Sequence, residues 1–173
     1  MSIKKNLVSV LLLAGATVVS LNASAASSAE VTLQGIITNT TCDVTVNGGK
    51  STLNVGIHKS SAFTTANTQV GSVPLNVTLS NCTAAEAGNL IIQGVTSTAN
   101  NDKNLFVNAD TDTVGFMIKD AVKTQIAANA NTAVAATAGK PTDYIFQVGM
   151  GSTTTTPATG AYNAPIVVAY IVN

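Results

Sequence analysis

The sequence contains few of the residues that catalysis and nucleic-acid binding require. It has no tryptophan, no arginine and a single histidine, and charged residues make up only 9% of the chain. Without a stripe of basic residues the chain has no means of neutralising a phosphate backbone, so we expect no nucleic-acid partner. The absence of tryptophan also removes the strongest aromatic platform for a sugar ligand.

Motifs of catalytic centres are absent as well. The sequence contains no H-E-x-x-H, no G-x-S-x-G and no P-loop. His58 is isolated, and we interpret it as incidental rather than as a metal ligand. Asp110 and Asp112 lack the further acidic neighbours of a calcium loop, which favours a solvated turn. We therefore expect no enzymatic activity, no cofactor and no metal site.

The first 25 residues have the pattern of a secretory signal peptide. Lys4 and Lys5 precede an uncharged, mostly apolar run from Leu7 to Val19, and Ala23-Ser24-Ala25 forms an A-x-A cleavage site. The run is shorter than the roughly 20 residues of a membrane-spanning helix. The alternative is an amphipathic or buried first helix, which the absence of a polar face in this run disfavours. Cleavage after Ala25 leaves six lysines and eight acidic residues, and hence a net charge of −2.

Two cysteines, Cys42 and Cys82, follow the export signal. In an oxidising compartment the expected state is one disulfide, and the alternative is a pair of buried free thiols. A disulfide that closes a loop of about 40 residues stabilises the fold by roughly 4 kcal/mol in the chain-entropy model.

Short segments of alternating apolar residues, separated by turn signals, predict an all-β sandwich or barrel. Asn47-Gly48-Gly49 indicates a hairpin between two of these segments. The Ala-rich stretch from Ala127 to Ala138 lacks an apolar stripe, so we expect a loop or an irregular edge. We predict a turn at Asp120–Lys123. The predicted strands are Val31–Thr38, Cys42–Val46, Leu53–Ile57, Val70–Leu79, Asn89–Val95, Val114–Ile118, Thr124–Ile126, Tyr144–Val148 and Ala161–Val172.

Three segments in this order resemble the type 1-like pilins, the subunits of chaperone–usher fimbriae. Gly35 to Val44, with Asn39 ahead of Cys42, resembles the first strand of that family. Val77 to Cys82 resembles the segment with the second cysteine. Gly160, fourteenth from the end, opens an alternating run that resembles the C-terminal motif: Tyr162, Ala164, Ile166, Val168, Tyr170 and Val172.

The resemblance implies an incomplete immunoglobulin-like β-sandwich, completed by a donor strand from a neighbouring subunit. Residues 26–37 are then the donor segment and 38–173 the pilin domain. Ala29, Val31 and Leu33 are expected to enter the neighbour's groove. The groove and chaperone-binding edge are expected at the final strand, with the residues Gly160, Ile166, Val168, Tyr170 and Val172.

The family pattern is not followed everywhere. Val172 stands where the family has a tyrosine second from the end, although Tyr170 lies on the same face. Ala29 stands where donor strands often carry glycine. Pro165 removes one backbone donor from the last strand, but its parity is opposite to that of the groove residues.

The resemblance also implies partners and a location. The partners are a periplasmic pilus chaperone, an outer-membrane usher and other pilus subunits, and the location is a fimbrium on the bacterial surface, reached through the periplasm. The expected function is that of a structural subunit, as a major pilin polymerising by donor-strand exchange into a fibre for cell adhesion. The alternatives are an adhesive minor or polyadhesive subunit that binds a host receptor and, less in keeping with the residues, a secreted β-sandwich enzyme.

Overall fold

The computed structural model describes residues 35–172. This range contains seven β-strands and two short 3-10 turns. The turns are Asn47–Gly49 and Ser60–Ala62. The strands are β1 (Asp43–Val46), β2 (Val70–Ser80), β3 (Glu86–Gly94), β4 (Val114–Lys119), β5 (Asn131–Ala136), β6 (Thr142–Ser152) and β7 (Ile166–Val172).

The strands form two sheets, and every ladder is antiparallel. The first sheet has the order β1-β2-β6-β4, and the second has the order β5-β3-β7. A single buried cluster joins them, with Leu75 and Phe146 from the first sheet and Leu90 and Tyr170 from the second. The predicted all-β sandwich is therefore confirmed.

Period-two alternation in the sequence determines which side chains enter this core. In β2 the apolar side chains Leu75, Val77 and Leu79 are buried, while their neighbours are more exposed. The same alternation buries Leu90 and Ile92 in β3. Successive side chains of a strand point to opposite faces, so each strand presents one apolar row to the opposite sheet.

The predicted hairpin at Asn47–Gly49 is wrong. All three residues adopt positive φ, and the side-chain amide of Asn47 donates to the carbonyls of Lys50 and Thr52, at 3.1 and 2.9 Å. This local turn redirects the chain, and β1 pairs instead with the C-terminal half of β2. Leu53–Ile57, the predicted partner strand, runs as irregular chain.

The prediction of irregular structure across Ala127–Ala138 is also wrong, because this stretch contains β5. Val134 and Ala136 are buried and alternate with the exposed residues Asn131, Ala133 and Ala135. The alternation is built largely from alanine, which has little hydrophobic contrast between the two faces. Pairing with β3, rather than local preference, therefore forms this strand.

Other predicted segments differ from the structure in their bounds or do not form strands. The last strand begins at Ile166, directly after Pro165, which has no N–H for a ladder. Thr124–Ile126 contributes only an isolated bridge. Of the predicted strand Val31–Thr38, residues 31–34 lie outside the described residues and the rest is not a strand. The turn at Asp120–Lys123 forms as predicted, with the Lys123 N–H donating to the Asp120 carbonyl.

Candidate strand-binding groove

β7 is an edge strand whose backbone is paired on one side only. It is the last strand of the β5-β3-β7 sheet, and within residues 35–172 no strand pairs with its outer edge. An unpaired strand edge presents a row of N–H and C=O groups to any extended chain that approaches it.

The ladder pattern identifies the residues whose backbone groups face outward. The N–H and C=O of Ala135 in β5 bond to the Tyr144 hydroxyl, so the pair that Ala135 forms with Ala87 is not hydrogen-bonded. Hydrogen-bonded and non-bonded pairs alternate in an antiparallel ladder. The alternation passes through β3 and directs the N–H and C=O of Val168 and Tyr170 to the open edge.

The inner side chains of β7 belong to the same residues. Tyr170 is 1% exposed, whereas Ile166, Val168 and Val172 are only half-buried although they pack against the core. Val167, on the other face, is 61% exposed. In the inner row of β7, backbone groups that are not paired by any strand within residues 35–172 thus occur together with apolar side chains that are incompletely covered.

Segments from both sheets enclose a groove beside this edge. One wall consists of Val46, the last residue of β1, and the irregular chain after it, including Leu53 and Val55. The groove reaches β7 at Ile166, and β1 lies close to β7. The opposite wall is formed by residues 157–166, ahead of and at the start of β7. Phe116, Ile118 and Val148 of the first sheet line its interior.

Two adjoining cavities, of about 680 and 530 Å³, make up the length of this groove. They share five residues: Thr52, Leu53, Val55, Phe116 and Tyr162. The Tyr162 hydroxyl donates to the Ala158 carbonyl at 2.7 Å, which folds the wall segment back on itself. Gly160 lies in the same segment and lines the second cavity.

Tyr170 fixes β7 against the sheet interior. Its hydroxyl donates to the main-chain carbonyl of Glu86 at 2.9 Å. Burial, with smaller contributions from the charges of Glu86 and Tyr144, raises the pKa of Tyr170 above the usual 10.0. A side chain at Gly88 would place its Cβ 2.2 Å from the carbonyl oxygen of Ile171 and 2.8 Å from the Tyr170 ring, so glycine permits this approach.

The predicted disulfide between Cys42 and Cys82 is confirmed. It connects the residue before β1 with the second residue after β2. Beside it, the Glu86 carboxylate accepts hydrogen bonds from the Thr40 hydroxyl and from the Thr41 N–H. The start of β1 is therefore fixed to both sheets.

The structure describes only some of the predicted site residues. Ile166, Val168, Tyr170 and Val172 share the inner row of β7, and Gly160 stands apart in the groove wall. Their roles as groove and chaperone-binding residues stay predictions. Ala29, Val31 and Leu33 lie outside the described residues, as do the signal peptide and the boundary at residue 25.

Sequence reasoning missed the other residues of the groove. The sequence pattern predicts an ordinary strand at Leu53 and Val55, and it places Phe116 in a strand without any sign of a groove. No periodic signal marks the wall residues, because they lie on irregular chain. The exceptions are Gly160, Tyr162, Ala164 and Ile166, which belong to the C-terminal run that the sequence already marks.

Two of the residues set aside in the search for catalytic groups, Asp112 and His58, have structural partners. The Asp112 carboxylate accepts from the Ala109 N–H, within a turn closed by the Asp112 N–H. His58 Nε2 lies 3.1 Å from the Val55 carbonyl oxygen. In the described part of the chain no group of three or more His, Cys, Asp or Glu side chains could hold a metal ion. Residues 35–172 also contain no helix that is long and apolar enough to cross a membrane.

The described residues form an antiparallel two-sheet β-sandwich with an open edge strand beside an apolar groove. The chain belongs to the fimbrial protein family, whose model matches residues 31–171. A search of curated proteins found no match.

Solved structures of pilus proteins share the fold. A type I fimbria protein and antigen of Burkholderia pseudomallei has 21% identity and a TM-score of 0.55, over 75% of this chain and 92% of its own. The P pilus rod subunit PapA has 12% identity and a TM-score of 0.59, over 77% and 99%. A chain from a chaperone–usher pilus studied for rod uncoiling has 15% identity and a TM-score of 0.54, over 83% and 95%.

The family confirms the resemblance seen in the sequence. The chain is a subunit of a chaperone–usher type pilus, in a family of structural pilins rather than of enzymes. Subunits of this kind are exported and assemble with other subunits into fibres on the bacterial surface, which confirms the predicted location.

Proposed function

We propose that this chain is a repeating, shaft-forming pilin that polymerises by donor-strand exchange. In this proposal the groove beside β7 accepts residues 26–37 of a neighbouring subunit, and the chain's own segment fills the groove of the next. A periplasmic chaperone occupies the groove before assembly, and an outer-membrane usher directs the exchange.

The observation that carries the proposal is that β7 has an unpaired edge and an incompletely covered inner row. Val168 and Tyr170 direct backbone groups to an edge that no described strand covers, and the apolar side chains on either side of Tyr170 remain half-buried. An added strand would satisfy those backbone groups and would cover those side chains at the same time. This pairing of main-chain bonds with alternate side-chain pockets is the physical basis of β-strand addition.

The donor segment has the complementary pattern. Ala29, Val31 and Leu33 have the same parity and therefore share one face of an extended strand. Glu30 has the opposite parity and would stay in solvent. Burial of Val31 and Leu33 would contribute roughly 1.5–3 kcal/mol each.

The same exposed groove explains why a chaperone is part of the proposal. An uncovered edge and an apolar groove favour aggregation before assembly. Because the donor segment and the groove are different surfaces, the contact between them is head-to-tail, and its repetition without closure into a ring gives a filament.

Substitution of Leu33 by Asp tests the donor face. Burial of an unpaired carboxylate in an apolar groove costs several kcal/mol, so L33D should abolish fibres while leaving a one-to-one complex with the co-expressed chaperone. Q34D is the matched control, because it adds the same charge at the opposite parity, and it should assemble normally. Size-exclusion chromatography of the periplasmic fraction and electron microscopy of the cell surface report the two results. Normal fibres from L33D would refute the assignment of the donor face.

A further inference from the structure

The two sheets have four edge strands, and the edges differ in how they are protected. β1 and β7 border the groove. The outer edge of β4 is occupied by neighbouring chain: Phe106 and Phe116 exchange N–H to C=O bonds of 2.8 Å in both directions, and the Ile126 N–H donates to the Ile118 carbonyl at 2.8 Å. No described strand or loop pairs in this way with the outer edge of β5.

A single side chain takes the place of a strand at β5. The Tyr144 hydroxyl donates to the Ala135 carbonyl oxygen at 2.6 Å and accepts from the Ala135 N–H at 2.8 Å. It therefore engages both of the backbone groups that Ala135 would offer to an added strand. Tyr144 belongs to β6 in the opposite sheet, so the contact also connects the two sheets.

The remainder of the β5 edge is short. The parity of Ala135 directs the backbone groups of Asn131 and Ala133 outward too, but β5 has only six residues. With Ala135 engaged, an incoming chain has at most two residues of β5 to pair with. The side chains of Ala133 and Ala135 are exposed and small, so they give no other protection.

The tyrosine ring is held in place by the core. Tyr144 has the parity of the buried residues Phe146 and Val148, and its ring packs against the same cluster. Phenylalanine at this position would retain that packing and would lose only the hydroxyl. The Y144F substitution therefore separates the packing of the ring from the hydrogen bonds of the hydroxyl.

We infer that Tyr144 closes the β5 edge to added strands and thereby confines strand addition to the groove beside β7. The role of β7 in this inference rests on the proposed function. Tyr144 does not line the groove beside β7. It acts by blocking backbone pairing at a different edge. The partner that it excludes is any extended polypeptide, including the donor segment of another copy of this chain.

The experiment compares full-length mature chains with the groove filled. Wild type, Y144F and Y144F/A133K are refolded with an excess of synthetic peptide 26–37, and self-association is followed by light scattering and thioflavin T fluorescence. Wild type should stay monomeric with one peptide bound. Y144F should bind additional peptide and associate faster, because Ala135 regains a free N–H and C=O. A133K should restore the monomer, since a charged side chain on an edge strand opposes pairing there. A merely structural role for the hydroxyl predicts no rescue by A133K.

Amide hydrogen exchange of the wild-type complex gives a second reading that does not depend on the folding of a variant. The Ala135 N–H should exchange about tenfold more slowly than the Ala133 N–H, because only the former has a partner. Equal exchange rates, or a Y144F protein that associates no faster than wild type, would overturn the inference. Failure of wild type to take up any peptide contradicts the proposed function instead, since edge closure is measured by the difference between Y144F and wild type.

Discussion

Substitution of Val168 by Asp tests the acceptor side of the groove most directly. Val168 lies in the inner row of β7, next to the open edge, and is half-buried in the free subunit. The V168D carboxylate can stay hydrated while the groove is empty, so the subunit should fold and bind its chaperone weakly. Once a donor strand covers the row, the same carboxylate becomes buried without a partner.

The expected loss in affinity follows from that burial. Replacement of a covered valine removes roughly 1.5–3 kcal/mol of apolar stabilisation, and desolvation of an unpaired carboxylate costs several kcal/mol more. A loss of only about 3 kcal/mol already corresponds to roughly a hundredfold weaker binding. V168D should therefore take up almost no donor peptide at concentrations that saturate the wild type.

The assay refolds the denatured subunit in an excess of fluorescent peptide 26–37 and measures the incorporation of the peptide by gel filtration. V167D is the matched control, because Val167 is the adjacent residue, is 61% exposed and faces away from the core. It should incorporate peptide like wild type. Wild-type incorporation by V168D, or an equal loss in both variants, would show that the inner row of β7 is not the acceptor surface.

Three further substitutions test the framework of the site. C82S should lower the level of folded subunit in the periplasm, because it removes a cross-link worth roughly 4 kcal/mol, and an unchanged level on non-reducing immunoblots would contradict the stabilising role. Y170F should cost about 1 kcal/mol in urea unfolding at neutral pH through its lost hydrogen bond. The pKa of Tyr170 is raised on folding, so wild-type stability should be complete below pH 10 and should fall as the pH rises through the folded value. Y170F should lack that alkaline decline, and an identical pH profile would rule the ionisation out. G88A should destabilise the β3–β7 pair, because its Cβ would meet the Ile171 carbonyl at 2.2 Å, whereas G35A, with no atom within 4 Å, should unfold like wild type.

Strands with strong alternation could be predicted from the sequence because their two faces differ in hydrophobicity. β2 and β7 carry Val, Leu, Ile or Tyr on every inner position, and their inner rows agree with the structure. β5 escaped prediction because alanine occupies both faces. The Asn47–Gly49 segment resembles a hairpin in sequence because its residues adopt positive φ equally well in a hairpin and in a non-hairpin turn.

The candidate site also has one part that the sequence pattern predicts and another part that it does not. The β7 face of the groove could be predicted from parity, whereas its opposite wall at Leu53 and Val55 is defined only by tertiary packing. The edge contact of Tyr144 gave no sequence signal, since it depends on a hydroxyl reaching from one sheet to the other. Contacts made by residues outside a periodic pattern can be identified only from the folded structure.

The position of the disulfide has a mechanical consequence for a fibre under load. In the proposed head-to-tail fibre, tension would enter each subunit through the segment that precedes Cys42. β1 begins at the next residue and pairs with β2 through only four residues, so a pull at its first residue would peel that ladder apart one pair at a time. The covalent link to Cys82 instead transfers the force directly to the C-terminal end of β2, a central strand, without loading the β1–β2 ladder. The subunit should therefore resist stretching in its oxidised form and should lose its first strand at much lower force once the cross-link is reduced.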